Sequence, residues 1–130
     1  MTMDYSQLSD FEINKLVANA TGTQVEETYQ FVNGGEDIAD HMSGIVLLRK
    51  ITSNWKHWKI YDPCNSPSDA WPIIVDNKIK IEPVRRVRNY NEWYEEWDAS
   101  VNSPHFCESH KNPLRAAMIV FLLSQDAKHA

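Results

Sequence analysis

The side chains able to do chemistry in this sequence gather in three places. The first is the run Tyr61-Asp62-Pro63-Cys64-Asn65-Ser66-Pro67-Ser68-Asp69-Ala70-Trp71-Pro72. It holds a thiol, two carboxylates and short polar groups that hydrogen-bond readily to backbone, and three prolines stiffen it. Cys64 with His57 or His41 as base would make a nucleophile pair, but no oxyanion-hole glycine pattern accompanies it. A small enzyme would be built on Cys64 or on the Asp62/Asp69 pair. A rigid loop of donors and acceptors beside one flat ring also suits an oriented ligand, because little entropy is lost in fixing it. On that reading Asn65, Ser66, Ser68 and Asp69 supply polar contacts and Trp71 an apolar wall. His57 and Tyr61, alternating on the preceding strand, complete the rim. The competing reading is a structural crossover in which Trp71 fills the core and Asp69 caps a turn.

The second place is His105-Phe106-Cys107-Glu108-Ser109-His110, with one thiol and two imidazoles; Cys64 would be a fourth zinc donor. The spacing matches no common finger, so no metal site is assigned. The third is Arg85-Arg86-Val87-Arg88 with Tyr90 and Trp93, which would hold single-stranded nucleic acid by charge and stacking. Glu92, Glu95, Glu96 and Asp98 follow closely and would neutralise it, and the whole chain carries a formal charge of −5. Both facts argue against a phosphate-backbone binder. No Lys or Arg lies between Lys15 and Arg49, whereas Glu26, Glu27, Glu36, Asp37 and Asp40 do. That flank reads as a solvated acidic surface. The glycines Gly22, Gly34, Gly35 and Gly44 form no phosphate cradle, so no cofactor is implied.

These groups need a scaffold. A length of 130 residues and 42% hydrophobic content suit one domain with a proper core. Cys64 and Cys107 make no disulfide framework, the start lacks a secretory signal, and the apolar run Ala116 to Leu123 is too short to span a bilayer. The expected home is a reducing cytoplasm, with both thiols free.

Ser9 and Glu12 predict a capping box opening a helix with Ile13, Leu16, Val17 and Ala20 on one face and Gly22 as its stop. Strands are expected at Val25 to Val32, Ile45 to Ile51 and Trp55 to Tyr61. Asn33-Gly34-Gly35 turns the first, Thr52-Ser53-Asn54 joins the last two as a hairpin, and Glu36 to Met42 is a short helix or a loop. Pro72 to Val75 and Lys78 to Ile81 read as a second hairpin turning at Asp76-Asn77 and ended by Pro83. Tyr90, Trp93, Tyr94 and Trp97 fall at helix spacing, with a strand as the alternative, and Asp98 to Lys111 reads as a long loop. Asn112-Pro113 opens a last helix, apolar on more than one side and so central to the core. The expected fold is a single α+β domain over 1–130, a small antiparallel sheet packed by an N-terminal helix and a buried C-terminal helix.

Three stretches carry a family resemblance. Met3 to Lys15, Tyr61 to Ile74, and Asn112-Pro113-Leu114-Arg115-Ala116-Ala117-Met118-Ile119-Val120-Phe121 together resemble the NinX-type family of lambdoid phages and prophages. The resemblance implies a phage or prophage origin and a bacterial-host cytoplasmic setting, and it brings no activity or catalytic residue with it. The residues therefore favour a non-enzymatic binding module for a host or phage protein or a small molecule. A nucleic-acid factor using Arg85–Arg88, and a small enzyme on Cys64 or Asp62/Asp69, stand as alternatives.

Overall fold

A computed structural model describes residues 4–30, 44–50, 58–102 and 105–129 of the chain. After a 3-10 turn at Tyr5–Gln7, helix α1 spans Asp10–Thr21. Ser9 Oγ accepts the N–H of Glu12 at 3.1 Å and the Glu12 carboxylate reaches back to the Ser9 N–H at 3.4 Å, so the capping box forms. Gly22 closes the helix in the left-handed conformation, φ 71°. Strands β1 (Val25–Gln30), β2 (Gly44–Lys50) and β3 (Trp58–Tyr61) form one antiparallel sheet in the order β1-β2-β3. The expected turns at Asn33-Gly34-Gly35 and Thr52-Ser53-Asn54, the segment Glu36 to Met42, and His41 and His57 lie outside the described residues.

Helix α2 spans Pro67–Asp76, where a strand and a hairpin turn were expected. Ala70, Ile73 and Ile74 face inward at helical spacing, and Pro67 starts the helix where its missing N–H costs nothing. Pro72, expected to begin a strand, lies inside the helix. It forfeits one intrahelical bond, but on the exposed side, where water can serve the freed carbonyl. Asp76-Asn77 ends this helix instead of turning a hairpin. The Ile79 N–H returns to the Ile74 carbonyl at 3.0 Å, with Lys78 between them at φ 53°.

Strands β4 (Lys80–Asn89), β5 (Glu92–Asn102) and β6 (His105–His110) form a second antiparallel sheet in the order β4-β5-β6. Three expectations change here. Pro83 does not end β4, because β4 is an edge strand and proline is tolerated there. The aromatic stripe from Tyr90 to Trp97 is not a helix: Trp93 and Trp97 share one face of β5 and Tyr94 takes the other. The segment Asp98 to Lys111 is strand for most of its length, not loop. In each case pairing across the sheet outweighs the local pattern; Arg85 opposite Glu95 favours the hairpin over a helix of the same residues.

Helix α3 spans Pro113–Lys128, with Asn112 as N-cap and Pro113 at its first position. Its residues from Arg115 to Leu122 are buried, and with Ile81, Ala99, Val101 and Phe106 of the second sheet they form the main core. Helix α1 joins both parts. Ile13 and Val17 face α3, while Ala18 packs with Leu47 and Tyr61 of the first sheet. The α+β class, antiparallel strands and buried C-terminal helix are as expected, with the strands divided between two three-stranded sheets.

Two stability measurements follow. Phe121, 3% exposed, should cost about 3–5 kcal/mol as Phe121→Ala in urea or thermal melts. Lys78 is exposed and holds a left-handed conformation, so Lys78→Gly should raise stability by roughly 0.5–1 kcal/mol in the same assay.

Candidate functional site

The segment Asp62 to Ser66 between β3 and α2 is fixed by hydrogen bonds from three parts of the chain. Asn14 of α1 donates its amide to Asp62 Oδ1 at 2.7 Å and accepts the Cys64 N–H at 3.0 Å. Asp69, buried in the first turn of α2, accepts the Asp62 N–H at 2.9 Å. Asn112 donates to the Cys64 carbonyl at 2.7 Å and to Asn65 Oδ1 at 3.1 Å, while its own oxygen caps Leu114 and Arg115 at 2.9 and 3.4 Å. Asn65 in turn donates to Asp10 at 3.0 Å.

Beside this segment lies a charged pair. Arg115 is 8% exposed; its Nη1 meets Asp10 Oδ1 at 2.7 Å, and its Nη2 donates to the carbonyls of Ser6 and Leu8 at 3.2 and 2.7 Å. Burial alone would raise the Asp10 carboxyl, but hydrogen bonds from Asn65 and Arg115 and the guanidinium charge outweigh it and hold the pKa below its ordinary 3.8. Tyr5 ties the same N-terminal arm to α3 by donating its hydroxyl to Asp126.

Against this frame the candidate ligand-binding residues divide. Tyr61 (3% exposed) and Asp69 (5%) point inward, and Asn65 is spent on Asp10, Asp62 and Asn112. Ser66 and Ser68 share a hydrogen bond at 3.1 Å at the start of α2. Trp71 points outward, 62% exposed. A cavity of about 170 Å³ reaches the inner side of the segment, bordered by Asp10, Asn14, Leu47, Ile60, Tyr61 and Asp62.

In the other centres Cys64, His110 and the arginines of β4 are engaged within the chain, while His105 and Cys107 are exposed. Cys64 is fully buried, and burial, then the charges of Asp10 and Asp62, push its thiol well above the usual value, so the nucleophilic thiolate is disfavoured. Strand β6 turns His105 and Cys107 to one face and His110 to the other, where His110 Nδ1 accepts the Asn112 N–H at 2.9 Å. Among the described residues no three His, Cys, Asp or Glu side chains converge closely enough to hold a metal ion. Arg86 is clamped by Glu96 at 2.6 Å and by Asp98 at 2.7 Å, Arg85 lies 3.9 Å over the Trp93 ring, and Arg88 lies over Tyr94.

Sequence reasoning missed Asp10, Asn14, Asn112 and Arg115 as parts of this site. Their signal was the resemblance itself, because each lies in one of the stretches that carry it and those stretches meet here.

A test separates the pair from its surroundings. Because the folded pKa of Asp10 is depressed, its contribution is present above about pH 4 and is lost as pH falls through the folded value. Asp10→Asn should cost about 1 kcal/mol at pH 7, the scale of a hydrogen bond to a charged group reduced by solvent screening at a carboxylate 41% exposed. Urea melts at pH 7 and pH 3 should show that the deficit shrinks at the lower pH.

The sequence model of the family described as Bacteriophage P22, NinX matches residues 4–125, and the chain belongs to that family. No curated protein and no solved structure matches it. Among the described residues no helix is long and apolar enough to cross a membrane.

Proposed function

We propose that this NinX-family phage chain is a non-enzymatic binding module, a single domain acting in the host cytoplasm, and that it docks a host or phage protein on the outer face of α2. The observation that carries the reading is that α2 is apolar on both sides. Ala70, Ile73 and Ile74 fill the core, while Ser68, Trp71, Pro72 and Val75, at i, i+3, i+4 and i+7, form an exposed stripe. A helix with one buried face ordinarily turns polar residues to water, so an outward Trp71 at 62% and Val75 at 51% exposure suit a partner's apolar surface. Ser66 and Ser68 supply polar contacts at the stripe's N-terminal end. Tyr61, Asn65 and Asp69 serve the same site by fixing the segment and helix that present it.

The protein reading is preferred to the small-molecule one because the polar groups of the loop are already bonded to the chain itself. It is preferred to an enzyme for the same reason, with the Cys64 thiol held protonated. It is preferred to nucleic-acid binding because the arginines of β4 are engaged by neighbouring carboxylates and rings.

Capture from infected host cells should retain a partner that, once purified, binds the parent chain directly. Trp71→Ala should weaken that complex about thirtyfold, the loss typical of an interface anchor, without moving the melting temperature. Equal affinity for parent and variant would overturn the assignment. So would a nucleotide or metabolite that shifts the melting of both proteins alike while no protein partner binds.

A further inference from the structure

A larger groove lies elsewhere, about 970 Å³ between α1 and β1. Leu8, Phe11 and Leu16 border it from the helix side and Val25 and Glu26 from the strand. Its position relative to the sheet follows from side-chain alternation. Val25 shares a face with Glu27, which pairs with Lys15 of α1 at 2.5 Å, so Val25 turns toward the helix and Glu26 turns to the opposite face. A groove bordered by both residues runs along the rim of β1. Strand β2 occupies one rim, which leaves the outer one.

That rim is an open edge among the described residues, and it differs from the edge at β4. Strand β4 carries Pro83, three arginines and a bulge between Val87 and Asn89, features that block the addition of another strand. Strand β1 has none of these. Its pairing with β2 is unbroken from Val25 to Gln30, and its edge-lining side chains include Glu26 and Glu27. The nearby cations lie on the helix-facing side of β1, where Lys15 pairs with Glu27 and Arg49 stands across from Val25, so Glu26 is on the face opposite them.

We propose that the α1–β1 groove binds an extended segment of a protein partner that adds to β1 as a further strand and alternates apolar with basic residues. The backbone of β1 supplies N–H and C=O groups along its edge, the usual source of affinity in strand addition. Apolar side chains of the segment, on the Val25 side, fall against Leu8, Phe11 and Leu16. Its basic side chains, on the other side, lie across from Glu26, where opposite charges attract and like charges repel. This site is separate from the Trp71 face, and either can fail without the other.

The probe is an eight-residue, end-blocked peptide alternating valine and lysine, titrated into isotope-labelled protein. Amide shifts should concentrate on Gln24–Thr28 and saturate, and added salt should weaken binding. Of two N-methylated versions, one methylated at the valines and one at the lysines, the version that loses its N–H groups toward β1 should bind at least tenfold more weakly. Glu26→Lys should weaken the valine–lysine peptide about threefold and strengthen its valine–glutamate counterpart by a similar factor, as expected for a cross-strand charge pair. Glu26 is exposed, so this variant should keep its fold. The proposal is overturned if both methylated peptides bind like the parent, if the shifts map away from β1, or if the glutamate peptide binds the unmodified protein equally well.

Discussion

The structure depends on a cation placed where cations are seldom found. Arg115 sits in the first turn of the core helix, almost wholly buried, and it survives there because Asp10 and two backbone carbonyls of the N-terminal arm surround its guanidinium. An ion pair with one buried partner adds little net stability against a well-packed apolar substitute, but leaving the buried Arg115 without its carboxylate is costly. Its effect is therefore on arrangement. Arg115 requires the residues before α1 to lie across the start of α3, and the capping box of α1 begins where they end. Asn112, three residues earlier, extends the same fixation to the β3–α2 segment. Two ends of the chain and its middle are thus held at one junction.

That junction takes up most of the polar groups of the reactive-looking segment. The carboxylates and the amide that made it resemble a binding loop have structural partners: Asp62 with Asn14, Asp69 with the Asp62 N–H, and Asn65 with Asp10 and Asn112. Buried polar groups are nearly always hydrogen-bonded, and a chain that crosses between a sheet and a helix beneath a core helix has many to satisfy. The prolines of the segment stiffen a strut. What the strut delivers to the surface is the outer stripe of α2.

The parts of the fold legible in the sequence are those whose signals are local. The Ser9–Glu12 box, Gly22 and Asn112-Pro113 act within one helical turn, and both terminal helices lie where these residues put them. Helix α2 was hidden because Pro72 and Asp76-Asn77 are also turn signals, and its inward spacing of Ala70, Ile73 and Ile74 covers only about one turn. Strands β4 to β6 were hidden for another reason. Tyr90, Trp93, Tyr94 and Trp97 suit a helix and a strand equally, and the choice is made by β4 across the sheet, over distances that local spacing does not encode. For the site, Trp71 was visible as a lone large ring. The residues that mount it were not, because Asp10 and Arg115 are 105 positions apart.

Exposed aromatic residues occur in two settings here, and the difference between them bears on function. On the β4–β5 hairpin, Trp93 is 55% exposed, but Arg85 covers its ring and Glu95 holds Arg85 in turn. The opposite face of the hairpin is locked by Arg86 with Glu96, Asp98 and Ser109. Those rings stabilise a two-stranded extension that would be marginal without such pairs, since the outer part of β5 has only β4 beside it. Trp71 lies on the outer side of α2, whose inner side already seats Ala70, Ile73 and Ile74 in the core. A tryptophan and a valine turned outward on a helix already anchored from within leave apolar surface exposed, the kind of surface that interfaces cover.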